Sequence, residues 1–133
     1  MARNPQPPQD MSLTPDEMRA GVTRLKRRLA EIEQFDPQAM TGRRDPRIDT
    51  LEAAIAGSLA DTFREGTQAY KRYAQAKKID TASYNMNGTP QHEVIEGLVY
   101  GKERATAMLS EAVRYLEEKL EEIQHTTRSP PTL

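Results

Sequence analysis

The sequence predicts an all-α protein: a long antiparallel helical hairpin with a shorter N-terminal helix packed alongside it as a three-helix bundle. In three long segments apolar residues recur at spacings of three and four, the period of an amphipathic helix. Helix-start signals precede these segments, and no stretch alternates apolar and polar residues as a half-buried strand does. We expect one helical domain over 13–125, between disordered tails at 1–12 and 126–133.

The first helix is predicted over about 14–35. Thr14 is suited to cap its first turn, Pro15 fits the first helical position, and two acidic residues follow where they face the positive end of the helix dipole. The apolar residues form a narrow stripe suited to packing against one or two other helices, namely Met18, Val22, Leu25, Leu29 and Ile32.

The second helix is predicted over about 46–79, with Asp45 and Pro46 repeating the start signal. Its apolar face consists of Ile48, Leu51, Ile55, Leu59, Phe63, Tyr70 and Tyr73. Glycine weakens a helix interior by about 1 kcal/mol relative to alanine. Gly66, which precedes a threonine, is therefore the expected place for a bend.

The third helix is predicted over about 91–124, after a polar loop at 80–90 with an Asn-Gly turn signal. One apolar seam runs its whole length: Val94, Leu98, Ala105, Leu109, Ala112, Leu116, Leu120 and Ile123. Four flanking residues widen the apolar arc beyond what a hairpin needs: Ile95, Val99, Met108 and Val113. This surplus predicts a surface for a protein partner or for a second copy of the chain.

Composition excludes several classes of function. The chain has no cysteine, which rules out disulfides, thiolate metal sites and cysteine nucleophiles. Neither a signal peptide nor an apolar run of about 18 residues is present, so we expect a cytoplasmic protein without membrane contact. The formal charge is only −1, and no feature indicates a small-molecule ligand.

Enzymatic chemistry has little support in the residues. His92 and His125 are the only histidines and lie far apart on a straight helix, so they make a poor metal site. Asp61 and Glu65 share a helix face, but Arg64 adjoins them and favours a surface charge network. Nothing resembles a nucleophile elbow or a phosphate-binding glycine loop. We therefore expect a protein that is not an enzyme, with no catalytic residues, no metal and no cofactor.

Two arginine clusters give an alternative function, a regulator that binds nucleic acid. The candidate phosphate contacts are Arg24, Arg27, Arg28, Arg43, Arg44 and Arg47. Against this interpretation, the whole chain is slightly acidic and no aromatic residues interleave with the basic ones. The sequence leaves open whether these arginines bind nucleic acid, pair with carboxylates near the end of the third helix, or are solvated.

Protein binding is the leading prediction: a non-enzymatic interaction or oligomerisation module. Besides the four flanking residues of the third helix, Tyr84 and Met86 in the polar loop are candidate contacts. The alternatives are that the first helix covers the surplus arc and that the loop packs back on the core.

Two runs carry a resemblance to a known family. Residues 51–70 read LEAAIAGSLADTFREGTQAY and contain Phe-x-x-x-Thr, and 96–118 read EGLVYGKERATAMLSEAVRYLEE and contain Gly-Leu-x-x-Gly-x-x-x-Ala-x-x-x-Leu. Together, residues 45–120 resemble the helical region that precedes nucleotide-binding TIR-like domains in some bacterial defence proteins. No TIR-like domain follows in this sequence, so no NAD-cleaving activity is implied. The resemblance implies a sensing, partner-binding or oligomerising module from a defence or mobile-element context.

Overall fold

The structure, a computed structural model, describes residues 13–128, and these contain helices and no β-strand. The all-α prediction is thereby confirmed. In chain order the described residues form four α-helices: α1 (Pro15–Gln34), α2 (Pro46–Phe63), α3 (Gln68–Tyr73) and α4 (Gln91–Arg128). Short 3-10 turns lie at Pro37–Ala39 and Ala74–Lys77. The predicted tail at 1–12 and residues 129–133 lie outside the described residues.

The start of α1 follows its sequence signal. The Thr14 hydroxyl accepts a hydrogen bond from the Glu17 backbone N–H at 3.1 Å, and the Glu17 carboxylate accepts one from the Thr14 N–H at 2.9 Å. This capping box satisfies two backbone donors that the helix leaves unpaired. The bond from the Thr14 backbone N–H is the largest cause that holds the pKa of the Glu17 carboxyl below its ordinary value, and the Thr14 side chain adds to this lowering.

The prediction of a single helix over 46–79 is wrong, because the helix ends at Phe63 and a new one starts at Gln68. Arg64 has φ +61° and Gly66 has φ +90°, values that no right-handed helix accommodates. The Thr67 hydroxyl then caps α3 by accepting from the Tyr70 N–H at 3.1 Å. The apolar spacing runs through the break because α2 and α3 bury their side chains in the same core, where the Phe63 and Tyr73 rings lie 5.5 Å apart.

The helix directions also differ from the predicted three-helix bundle, since an up-down-up path through three helices would make the first and last helices parallel. In the structure α1 and α4 are antiparallel: Gly21 near the start of α1 lies against Leu116, whereas the carbonyl of Phe35 after its end accepts from Lys102 at 2.6 Å. The reason is the break after α2, which lets residues 64–82 run back beside α2. The last helix therefore begins at the end of the bundle where α1 stops.

This return segment gives the bundle four antiparallel members in the order α1, α2, residues 64–82 and α4. Each contacts its neighbours, and one continuous core lies between them. Most of the predicted α4 seam is buried there, as expected: Val94, Leu98, Ala105, Leu109, Ala112 and Leu116. Gly21 marks a close approach of α1 to both α2 and α4, since an added Cβ would lie 2.7 Å from Thr62 and 3.3 Å from Leu116.

The final helix is the longest element, with 38 residues and a length of about 57 Å. It starts where predicted and continues to Arg128, so it includes the first three residues of the tail expected at 126–133. Within residues 13–128 we find no helix that is both long and apolar enough to cross a membrane.

Candidate functional site

The segment that leads into the polar loop lies directly on two glycines of α4. A Cβ on Gly97 would lie 2.5 Å from the backbone nitrogen of Ala82, and a Cβ on Gly101 would collide with the carbonyl group of Ile79. The Thr81 hydroxyl also donates to the Gly97 carbonyl at 2.6 Å. These glycines are therefore required for backbone-to-backbone contact. We call residues 79–82 the loop base.

A single arginine from the α1–α2 connection fixes this base. The Arg43 guanidinium donates to both carboxylate oxygens of Asp80, at 2.8 and 3.1 Å, and to the carbonyl oxygens of Ala82 and Ser83. It also reaches the Thr89 hydroxyl at 3.2 Å, so it holds both ends of the loop. The hydrogen bond with Asp80 is the main cause of a raised Arg43 pKa. Residues 83–89 are called the clamped loop below.

A second group of bonds supports the clamp. The Glu52 carboxylate on α2 accepts from the backbone N–H groups of Ile79 and Asp80 at 2.9 and 3.0 Å. The Thr89 hydroxyl donates to the Ser83 carbonyl at 2.9 Å and closes the neck of the loop. Side chains from α2 and from the α1–α2 connection thus fix the loop against α4.

The tip of the clamped loop is a tight turn with two large exposed side chains. The Asn85 side chain accepts from the Asn87 N–H at 3.1 Å, and the Asn85 carbonyl accepts from the Gly88 N–H at 2.9 Å. Gly88 has φ +89°, which explains the glycine of the predicted turn signal. Tyr84 is 85% exposed and Met86 is 90% exposed. The loop does not pack these side chains back on the core.

A recess of about 630 Å³ lies between the clamped loop and the first turns of α4. Tyr84 and Met86 line it on one side, and Glu93 and Glu96 on the other. Tyr100, one turn after Glu96, is also exposed, at 57%. Tyr100 is not among the contacts predicted from the sequence; its place outside the apolar seam, on the same face as the two glutamates, was the available signal.

The other predicted partner contacts lie in different surroundings. Val113 is 6% exposed and belongs to the core, where a partner cannot reach it while the bundle is closed. Met108 packs against the core from a partly buried position, and Ile95 and Val99 are half-buried. Val99 borders a shallow depression beside Pro37. Of the four flanking residues of α4, Val113 is thus buried, and the other three are half-buried.

The six arginines of the two basic clusters do not form one free patch. Arg24 donates to Thr62 at 3.0 Å, Arg28 pairs with Glu31 at 3.0 Å, and Arg43 forms the clamp. Arg47 is also paired, with Asp45. Arg27 and Arg44 form no ion pair or side-chain hydrogen bond among the described residues. Of the basic residues in this part of α1, Lys26 is the one that pairs with the acidic end of α4, through Glu117 at 3.4 Å.

Arg47 pairs with the residue that caps α2. Its guanidinium donates to the buried carboxylate of Asp45 at 2.7 and 3.0 Å, and the same carboxylate accepts from the Thr41 and Arg47 N–H groups. The side-chain bond with Arg47 is the largest cause that holds the pKa of Asp45 far below its ordinary value. This arginine therefore has a structural partner at the helix start.

A groove of about 600 Å³ opens beside this cap, between the end of α1 and the start of α2. Its walls are mainly apolar and include Ala30, Phe35, Pro46 and Leu51, while Arg27, Glu31 and Arg47 stand at its edge. We call it the α1–α2 groove. It lies at the same end of the bundle as the clamped loop, because Phe35 and Pro46 flank the connection that carries Arg43.

Within residues 13–128, no three or more His, Asp or Glu side chains are grouped so that they could hold a metal ion. In comparisons with known proteins, no family model matches the chain, and neither a curated protein nor a solved structure matches it at a significant level.

Proposed function

We propose that this chain is a non-enzymatic protein-interaction module and that the clamped loop, with the exposed first turns of α4, is its contact surface. The observation that carries the proposal is the contrast at one loop: Arg43 fixes both ends of it, while Tyr84 and Met86 at its tip are 85% and 90% exposed. This arrangement suits binding, because a contact whose backbone is already ordered loses less entropy on association.

The exposed residue types support the same proposal. Tyrosine and methionine are enriched at protein interfaces, and tyrosine is frequent among the residues that contribute most binding energy. Two such side chains at one turn bury little apolar surface in the free chain. Their role is better explained by contact with another molecule than by stability of the fold.

The charge of the neighbouring surface adds specificity. Glu93 and Glu96 line the recess beside the loop tip, and neither forms an ion pair within the part of the chain that the structure describes. A partner with an apolar knob or cleft and nearby cationic groups would match this surface, since complementary charges steer association and exclude wrong partners.

The nucleic-acid alternative has weaker support. Of the six arginines predicted as phosphate contacts, four have partners within the fold, and Arg43 uses its donors on the loop. The resemblance to helical regions of bacterial defence proteins agrees with a partner-binding module, and we include that context in the proposal.

Site-specific photo-crosslinking in the cells that make the protein tests this function. A photoreactive phenylalanine analogue replaces Tyr84 in one variant and the exposed Glu118, near the far end of α4, in a matched control. We expect a discrete protein adduct from position 84 that is absent from position 118 and that fades when Met86→Ser is added. The same adducts from both positions, or none from position 84, would contradict the proposal.

A further inference from the structure

The α1–α2 groove is an apolar recess, and the loop tip presents apolar side chains to solvent. The groove is a recess of about 600 Å³ with buried Phe35 and Leu51 among its apolar walls, and no side chain of the described residues fills it. The loop tip is a projection with two apolar side chains, Tyr84 and Met86, held out into solvent. Among the described residues, no apolar side chain occupies the groove, and no apolar surface covers the side chains of the loop tip.

Their charges are complementary. Two charged residues of α1 line the groove, Arg27 and Glu31. Glu31 is paired with Arg28 at 3.0 Å, whereas Arg27 is a cation without an ion pair among the described residues. Beside the loop tip, Glu93 and Glu96 are carboxylates that also form no ion pair there. An apolar recess with a cationic edge thus corresponds to an apolar projection with an anionic edge.

Both surfaces also lie at one end of the molecule. Arg43 ties the clamped loop to the α1–α2 connection, and that connection joins the two helices that form the groove. Two copies related by a two-fold axis at this end can each place a loop in the groove of the other. Such a contact is closed and self-complementary, the commonest arrangement of homodimers.

We propose that the partner of the clamped loop is a second copy of this chain. The Tyr84–Met86 tip of each copy occupies the α1–α2 groove of the other, and Glu93 and Glu96 face Arg27. This assignment rests on the proposed function, since it names the partner of the same surface.

Charge exchange between two variants tests the assignment by sedimentation equilibrium. The groove variant is Arg27→Glu, and the loop variant combines Glu93→Lys with Glu96→Lys. Each variant alone opposes like charges in both loop–groove contacts and is expected to weaken the dimer about tenfold or more in Kd. In an equimolar mixture each contact again joins opposite charges, so the heterodimer is expected to regain association near that of the unmodified chain.

Two controls make the result specific. Arg114→Glu and Glu118→Arg reverse exposed charges on α4 away from both surfaces and are expected to leave the dimer unchanged. Circular dichroism checks that every variant retains its helices. A chain that stays monomeric up to about 1 mM, the limit of weak specific association, would overturn the assignment. So would variants that associate as well alone as together.

These failures are distinguishable from failure of the proposed function. If the adduct from position 84 contains a different protein while the chain itself is monomeric, the clamped loop remains a contact surface and only the second copy is excluded. If position 84 gives no adduct and the chain is monomeric, both proposals fail.

Discussion

The loop base and the loop tip are neighbours in sequence but have opposite roles. At 79–82 the backbone lies on two glycines of α4 and bonds to Arg43 and Glu52, whereas from Tyr84 to Met86 the side chains stand in solvent. The exposed tip is thus held on an ordered base, which is the arrangement that the proposed contact surface requires. Substitutions at the base should therefore reduce stability, and substitutions at the tip should reduce association.

The largest expected effect follows from Gly101→Ala. Alanine favours a helix interior by about 1 kcal/mol, but its Cβ would collide with the Ile79 backbone, which cannot move aside as a flexible side chain can. We expect a net loss of about 1–3 kcal/mol in the free energy of unfolding, measured by urea denaturation.

Gly57→Ala is the matched control for that substitution. Gly57 is an exposed position in α2, and a Cβ there would meet no atom within 4 Å. This variant should gain about 0.5–1 kcal/mol. Equal effects at the two glycines would contradict the close backbone contact of the base.

The next largest effect is expected from Arg43→Ala. This change leaves the Asp80 carboxylate, whose side chain is 18% exposed, without its cation and frees both ends of the loop. We expect a loss of about 1–2 kcal/mol and faster amide hydrogen exchange at residues 80–83. The exposed neighbour Arg44, changed to alanine, should alter stability by less than about 0.5 kcal/mol. Unchanged exchange in the Arg43 variant would show that the clamp does not order the loop.

A smaller, pH-dependent effect is expected at Asp45. Bonds from Arg47 and Thr41 lower its folded-state pKa far below the unfolded value of about 3.9, so the carboxylate stabilises the fold above that pH. The contribution is lost as the pH falls below about 4 toward the folded-state pKa. Asp45→Asn keeps a good helix cap but should reduce the fall in melting temperature between pH 6 and pH 3. An equally steep fall in the variant would contradict this role.

The sequence predicted the features that depend on adjacent residues. Thr14 with Pro15 and Asp45 with Pro46 start helices where expected, because capping involves residues two or three positions apart. The break after α2 was harder to predict: Gly66 was identified as a bend, but Arg64 with positive φ has no sequence signal.

Features that depend on distant residues were not predictable. Arg43 was predicted as a candidate phosphate contact. Its partners in the fold could not be recognised from the sequence, because they lie 37 to 46 positions away along the chain. Val113 was expected at a contact surface because the width of an apolar arc does not reveal how many helices will cover it. For the exposed tip the sequence offered Tyr84 and Met86 as candidates, and only the structure shows the clamp that holds them out.

The most direct test of the contrast between base and tip is the double variant Tyr84→Ser, Met86→Ser. Its melting temperature and its association, by sedimentation, should be measured on the same preparation. We expect a melting temperature within about 2 °C of the unmodified chain, as for exposed substitutions, together with loss of association. A clear fall in melting temperature, or association that persists, would contradict this expectation.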